Sequence, residues 1–192
     1  MKEHAINKLN NFIAGWYSDP RLCNTIVEKG ESDIDKFIPW SPWYQHYDLK
    51  EFDNELCADY ETVLFQTIEL YKKKYPLCYK ELQPWGWTAP RIQRYNPGQY
   101  YSQEHCENDG SSGTIRRHFA YMTYLNTVND GGGTEFLNQQ QTTNAEQGLT
   151  LIWPAQWTHY HRGVVAPTEV KYIITGWLCF QSDTPAAIWQ VK

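Results

Sequence analysis

The sequence predicts an α+β chain that is mainly β: helices in the first ninety residues, packed on one side of a β-sandwich or jelly roll formed by the rest. Two observations predict this. Between Leu56 and Lys74 the apolar residues recur at three- and four-residue steps, the period of a helix face. From Arg91 onward short apolar and aromatic runs alternate with period two, and they are separated by NPG, NDGSSG, NDGGG and Ala166-Pro167, which are turn formers.

Each element follows from its own residues. Ile6, Leu9, Phe12 and Ile13 share a face, so an N-terminal helix is expected there. Residues 17 to 54 are rich in Asp, Pro, Gly and aromatics, show neither period, and are expected to be loop with short pieces. Leu56, Tyr60, Val63, Leu64, Ile68 and Tyr71 define the long helix, which Pro76 stops after the basic turn Lys72 to Lys74. Strands are expected in IQRY, QYYSQEHCE, RRHFAYMTYLN, GTEFL, LTLIWP, HYHRGVV and VKYIITGWLCF. Many short strands at regular spacing indicate a sandwich or jelly roll. The chain length suits one domain over residues 1–192, with a helical and loop preamble at 1–90 and a jelly-roll core at 91–182.

Composition narrows the partners. With 41% apolar and 16% aromatic residues the chain can bury a core, and a net charge of −5 without an arginine-rich stretch argues against nucleic acid. Five cysteines, an odd number with no Cys-x-x-Cys pair, and an N-terminus without the apolar run of a signal peptide suit the cytoplasm. No window is apolar enough to span a membrane.

The residues with chemistry lie in the second half. His105 and Glu107 form a His-x-Glu pair that a strand would place on one face. His161 supplies a distant imidazole, and Lys171 follows ten residues later. Two imidazoles and one carboxylate on one side of iron(II) leave the opposite side open, as oxygen chemistry requires. A buried cation would neutralise the distal carboxylate of 2-oxoglutarate, and alternation places Lys171, Ile173, Thr175, Trp177 and Cys179 on one face.

YNPGQYYSQEHCEND, RRHFAYMTYLN, NDGGGTEF, GLTLIWPAQWTHYHRG and VKYIITGW resemble, in order and spacing, the core of prolyl 4-hydroxylase-like Fe(II)/2-oxoglutarate oxygenases of the small bacterial and phage type. The resemblance covers about Arg91 to Phe180 and implies a double-stranded β-helix. It implies that His105, Glu107 and His161 hold Fe(II), and that Lys171 binds 2-oxoglutarate, with Tyr124 sharing its distal carboxylate and Thr175 and Tyr95 near it. Arg117 and Trp177 match positions on the substrate side. The implied activity is hydroxylation of a peptidyl residue, proline first, consuming O2 and releasing succinate and CO2, with ascorbate as a reductant. Glu107 stands where many relatives have aspartate, and Cys179 where several carry a basic residue.

Other assignments compete. His159 shares a face with His161 but lacks the ten-residue spacing to the lysine, and Asp109 leaves the His-x-carboxylate register. Trp40, Trp43, Tyr44, Tyr47, Trp85 and Trp87 are candidates for a lid or peptide groove, or for packing of the helical layer. Alternative functions are oxidation of another side chain or a free small molecule, a non-catalytic jelly-roll binding module, and zinc hydrolysis, for which the His-Glu-x-x-His motif is missing.

Overall fold

The computed structural model describes residues 11–40, 42–80 and 82–181. A large antiparallel sheet runs in the order β1 (Ala14–Tyr17), β9 (Leu149–Pro154), β6 (Arg117–Tyr124), β11 (Lys171–Phe180), β5 (Arg91–Tyr95), β3 (Tyr44–Asp48) and β2 (Ile38–Trp40), with β4 (Trp85–Trp87) also paired to β11. A second sheet has the order β10 (His161–Gly163), β7 (Thr134–Phe136) and β8 (Gln141–Thr143). The mainly antiparallel architecture is that of a jelly roll, with the helices on one face of the large sheet.

Helix α3 (Asn54–Lys74) forms where the apolar period predicts it. Asp53 caps it by accepting from the Glu55 and Leu56 amides, and the three lysines of its last turn complement the helix dipole. Its buried face, Tyr60, Leu64, Ile68 and Tyr71 among others, packs on the sheet in one apolar cluster with Ile92, Ile152, Ile174 and Leu178. Each such large side chain contributes about 1.5–3 kcal/mol on burial.

The preamble differs from expectation. Residues 17 to 54 are not mainly loop: they contain α1 (Pro20–Ser32), α2 (Leu49–Phe52) and the β2–β3 hairpin. Helix α1 buries a narrow stripe, Cys23, Ile26 and Gly30, too sparse to show as a period. Its start was nonetheless marked by Asp19, which caps through the Arg21 amide, followed by Pro20 in the first turn. Of the expected N-terminal helix, residues 1–10 lie outside the described residues. Phe12 and Ile13 are not helical and lead into β1.

In the core, QYYSQEHCE is not a strand. His105 makes an isolated bridge to His161, and the surrounding segment is irregular. The alternation of β11 also stops early, because a register shift falls between Leu178 and Cys179. Residue 182, the expected end of the core, lies outside the described residues. Among the described residues no helix is long and apolar enough to cross a membrane.

The sheet's two faces do different work. Alternate residues of β6, β9 and β11 enter either the helix-side cluster or a second one, which contains Tyr95, Met122, Tyr124, Phe136, Trp153 and Ile173 and lies between the two sheets. The candidate site opens from this second face.

Candidate active site

His105 lies in a segment without regular structure, yet its backbone is fixed. The His105 amide donates to the His161 carbonyl at 3.0 Å, the His161 amide donates back at 2.9 Å, and the Asn108 amide donates to Ala155 at 2.8 Å. Reciprocal backbone bonds thus replace the strand that the alternation suggested. They also bring the two histidines together, with ring centroids 4.3 Å apart.

The imidazoles are oriented by their inner nitrogens. His105 Nδ1 lies 2.9 Å from the Gln103 carbonyl and His161 Nδ1 lies 2.9 Å from the His159 carbonyl. A carbonyl can only accept, so each Nδ1 carries a proton, and in the neutral imidazole that a metal requires each Nε2 presents its lone pair. Both Nε2 atoms lie 3.5 Å from Oε1 of Glu107. His105, Glu107 and His161 are the one group of His, Cys, Asp or Glu among the described residues that could hold a metal ion.

Glu107 is held from behind. Its Oε2 accepts from Trp177 Nε1 at 2.6 Å and from Arg117 Nη1 at 3.4 Å, while Arg117 also donates to the Glu107 carbonyl at 3.0 Å. The guanidinium carbon of Arg117 stacks 3.6 Å from the centre of the Trp177 ring. Oε1 is left facing the histidines. Burial by itself would raise the Glu107 pKa, but in the metal-free site imidazoles protonated at Nε2 donate to it and outweigh burial, holding the carboxyl well below the usual range. Arg117 and Trp177 therefore line the cavity as expected, but their polar groups are turned onto the carboxylate.

The three groups open into a cavity of about 520 Å³. Lys171, Ile173, Thr175 and Trp177 line one wall, as strand alternation predicts, and Tyr95 and Gln93 stand beside them on β5. Lys171 is 4% exposed. Its Nζ donates to the Gly132 carbonyl at 3.0 Å and sits 4.4 Å from the centre of the Tyr95 ring. Among the described residues no carboxylate pairs with it, and burial lowers its pKa to about 8.

Other expected residues are placed differently. Tyr124 is fully buried and its hydroxyl is shared with Thr134 Oγ1 at 2.8 Å and Thr143 Oγ1 at 3.1 Å. Its hydroxyl stands behind Thr134, which lines the cavity. The Tyr95 hydroxyl donates to Gln93 Oε1 at 2.7 Å, and Thr175 Oγ1 to the Tyr121 carbonyl at 3.1 Å. His159 lies outside the cluster, with Nε2 2.8 Å from the Asn11 carbonyl. Asp109 is committed to its turn through Thr114 and the Ser111 amide.

Of the preamble aromatics, Trp40 and Tyr44 line the cavity, whereas Trp85 and Trp87 are buried on the helix side. Sequence reasoning passed over Tyr101, whose ring packs 4.7 Å from that of His105, and Trp153, 5.1 Å from His161. Tyr101 gave no signal because its segment is irregular. Trp153 and Met122 could have been found from the register of β6 and β9.

Comparisons with known proteins agree with this geometry. Residues 90–179 match the family described as the 2OG-Fe(II) oxygenase superfamily. No curated protein sequence matches the chain. Among solved structures, the chain is similar to a viral collagen prolyl hydroxylase from Paramecium Bursaria Chlorella virus-1 in its 2OG complex: TM-score 0.69, 14% identity, covering 89% of this chain and 97% of that one. It is similar also to a Pseudomonas putida prolyl-4-hydroxylase, with TM-score 0.68, 16% identity and 90% and 94% of the two chains covered. A prolyl hydroxylase from Trichoplax adhaerens, in complex with a hypoxia inducible factor oxygen degradation domain peptide fragment, gives TM-score 0.67 at 14% identity over 88% and 84%. Residues 90–179 thus carry a match to the 2OG-Fe(II) oxygenase superfamily, and the fold of the chain is that of the prolyl 4-hydroxylases.

Proposed function

We propose that this oxygenase hydroxylates a peptidyl residue, proline first, with Fe(II) held by His105, Glu107 and His161 and 2-oxoglutarate anchored at Lys171. The observation that carries the reading is the buried lysine: it faces the cavity that the three metal-binding groups also face, and no carboxylate of the described chain neutralises it. A charge in that position is costly unless an anion meets it.

The family implies Fe(II) and 2-oxoglutarate, and the donor set fits them: two Nε2 lone pairs and one carboxylate oxygen converge, while Glu107 Oε2 is occupied elsewhere. When bound, the metal and cosubstrate supply oxidation of a C–H bond by O2, with succinate and CO2 as co-products. The chain's part is to bind, orient and exclude water. Nδ1 bonds to backbone carbonyls fix both imidazole tautomers. Trp177 and Arg117 keep Glu107 turned so that one oxygen serves the site. Lys171, seated between Tyr95 and the Gly132 carbonyl, holds a distal carboxylate away from water. Thr175 and Tyr95 line the same wall.

A peptide substrate is supported by the size of the cavity, whose outer part is walled by Trp40 and Tyr44 of the β2–β3 hairpin. Flat aromatic walls suit a proline-containing segment in an extended conformation. Ascorbate as reductant and a cytoplasmic setting belong to the same reading, and the five free thiols suit the latter. The test is succinate release from 2-oxoglutarate with and without proline-containing peptides, with the peptide followed by mass spectrometry. A gain of one oxygen on proline is expected. Oxygen on another residue, or on a free small molecule, would replace the prolyl assignment and keep the oxygenase one.

A further inference from the structure

Three cations line the cavity, Lys171, Arg117 and Arg91, and two of them are committed. Lys171 is buried against Gly132 and Tyr95, and Arg117 is bonded to Glu107 and stacked on Trp177. Arg91 is different. It is exposed, and among the described residues its side chain has no hydrogen bond or ion pair.

Two carboxylates are candidates to pair with it, and neither forms an ion pair with it. Asp48 is its direct register partner on β3, but the Asp48 carboxylate accepts from the Lys50 amide at 3.0 Å and the Glu51 amide at 3.4 Å to cap α2. Asp109, also on the cavity wall, is held in its own turn by Thr114 and the Ser111 amide.

The position of Arg91 separates it from the cosubstrate. On the cavity face of β5 stand Arg91, Gln93 and Tyr95, opposite Thr175, Ile173 and Lys171 of β11. Four residues of strand between the Lys171 and Thr175 positions span about 13 Å. A five-carbon diacid with one carboxylate at Lys171 is too short to place its other at the Arg91 end. The aromatic side chains of the adjoining hairpin, Trp40 and Tyr44, stand level with Tyr95 at the other end of this wall, and the Arg91 charge acts along it on His46 and Tyr44.

We propose that Arg91, at the exposed end of the cavity wall away from Lys171, binds a carboxylate of the substrate, so that the enzyme selects anionic over neutral substrates. The inference rests on the hydroxylase reading above and adds a determinant of substrate class. A carboxylate there could come from an acidic side chain next to the oxidised residue of a peptide, or from the α-carboxylate of a free amino acid. A planar guanidinium suits either through two parallel hydrogen bonds.

The experiment uses charge-matched pairs on the iron-loaded full chain: peptides with a central proline, lysine or asparagine flanked by glutamate or by glutamine, and free amino acids against their methyl esters. Product mass and succinate are read for wild type, Arg91→Gln and Arg91→Lys. The acidic member should be favoured by about tenfold or more in kcat/KM, the gain expected of a charge-assisted hydrogen bond. Arg91→Gln should level the pair and Arg91→Lys keep part of the preference. Affinity for 2-oxoglutarate, titrated on manganese-substituted Arg91→Gln, should stay within about twofold, as for independent sites. Preference within the peptide pairs assigns a side-chain carboxylate, and preference within the ester pairs assigns an α-carboxylate. A wild type indifferent to charge, whether it turns over both members of every pair equally or neither, overturns the proposal, as does an Arg91→Gln enzyme that keeps the preference. Failure of the prolyl reading shows separately, as oxygen on a central residue other than proline.

Discussion

At the scale of single residues the site is a set of atoms whose alternatives have been removed. His105 and His161 give up Nδ1 to backbone carbonyls, and Glu107 gives up Oε2 to Trp177 and Arg117, so one lone pair from each is left to converge. His161→Ala should therefore abolish binding of one divalent metal per chain in a metal titration. His159→Ala should leave the titration intact and lower stability by about 1–3 kcal/mol, because it strips the Asn11 carbonyl of a buried partner. The reverse ranking would mean that the wrong histidine had been chosen. Lys171 carries a pH signature of its own. Its pKa of about 8 in the folded protein lies below the ordinary 10.5, so this group makes the ligand-free fold more stable as pH rises from about 8 to 10.5. A bound carboxylate returns the proton to the lysine, so binding of 2-oxoglutarate takes up a proton in that window. Affinity on manganese-substituted protein should then fall with pH above about 8, by up to about tenfold per unit. Lys171→Arg stays charged and should lose that slope, and Lys171→Ala should weaken binding at every pH.

At the scale of elements, the glycines of the NDGGG turn decide how closely the backbone strands of the small sheet and the loop after β10 can approach it. A Cβ on Gly133 would stand 1.8 Å from the Thr143 carbonyl oxygen, and one on Gly131, where φ is +133°, 2.2 Å from that of Val165. These are backbone atoms that cannot step aside, so the glycines permit the β7–β8 pairing and present the Gly132 carbonyl to Lys171. Gly133→Ala should cost about 1–3 kcal/mol or more in a denaturant titration, as overpacking does. It should weaken 2-oxoglutarate more than metal, since β10 and its His161 pair with the other edge of β7. A variant that lost metal first would place the effect elsewhere. Helix α3 is tied to the sheet by a polar thread as well as by its apolar face: Tyr60 hydroxyl to Thr123 at 2.8 Å, and Thr123 to Thr150 at 2.7 Å, all buried. Tyr60→Phe should lower stability by about 1 kcal/mol without altering cosubstrate affinity, because this thread runs on the helix side.

At the scale of the whole molecule, the site joins separate parts of the fold. His161 belongs to the small sheet, Lys171 to the centre of the large one, and His105 and Glu107 to an irregular segment anchored on both sides by backbone bonds. Ligands that bind only the assembled site must stabilise all three. At one hundred times its dissociation constant each should add about 2.7 kcal/mol, read as a rise in Tm. The cosubstrate's increment should require the metal, since its keto-acid end has no other partner of comparable strength among the described residues. Equal stabilisation by 2-oxoglutarate in the presence of a chelator would count against a shared site.

The order of helices before strands, the long helix, most of the strands and the His105, Glu107, His161 and Lys171 set could all be read from the sequence, because each rests on local period or on fixed spacing along the chain. Helix α1 could not, since its buried stripe of Cys23, Ile26 and Gly30 is too thin to stand out from polar neighbours. The strand expected around His105 failed for a related reason: alternation in the sequence describes side-chain direction, and here that direction is imposed by two bonds to His161, a residue 56 positions away. The tertiary structure decided which polar groups are already spent. Tyr124 has the right place in the sequence, yet its hydroxyl is used by Thr134 and Thr143, and Arg117 and Trp177 turn to the carboxylate. Arg91 reads in the sequence as one more surface cation, and only the pairing of β5 with β3 and β11 sets it on the cavity wall without an ion pair among the described residues. Residue types and spacings are local properties of a chain, whereas the satisfaction of hydrogen bonds and charges depends on partners that folding brings from far away.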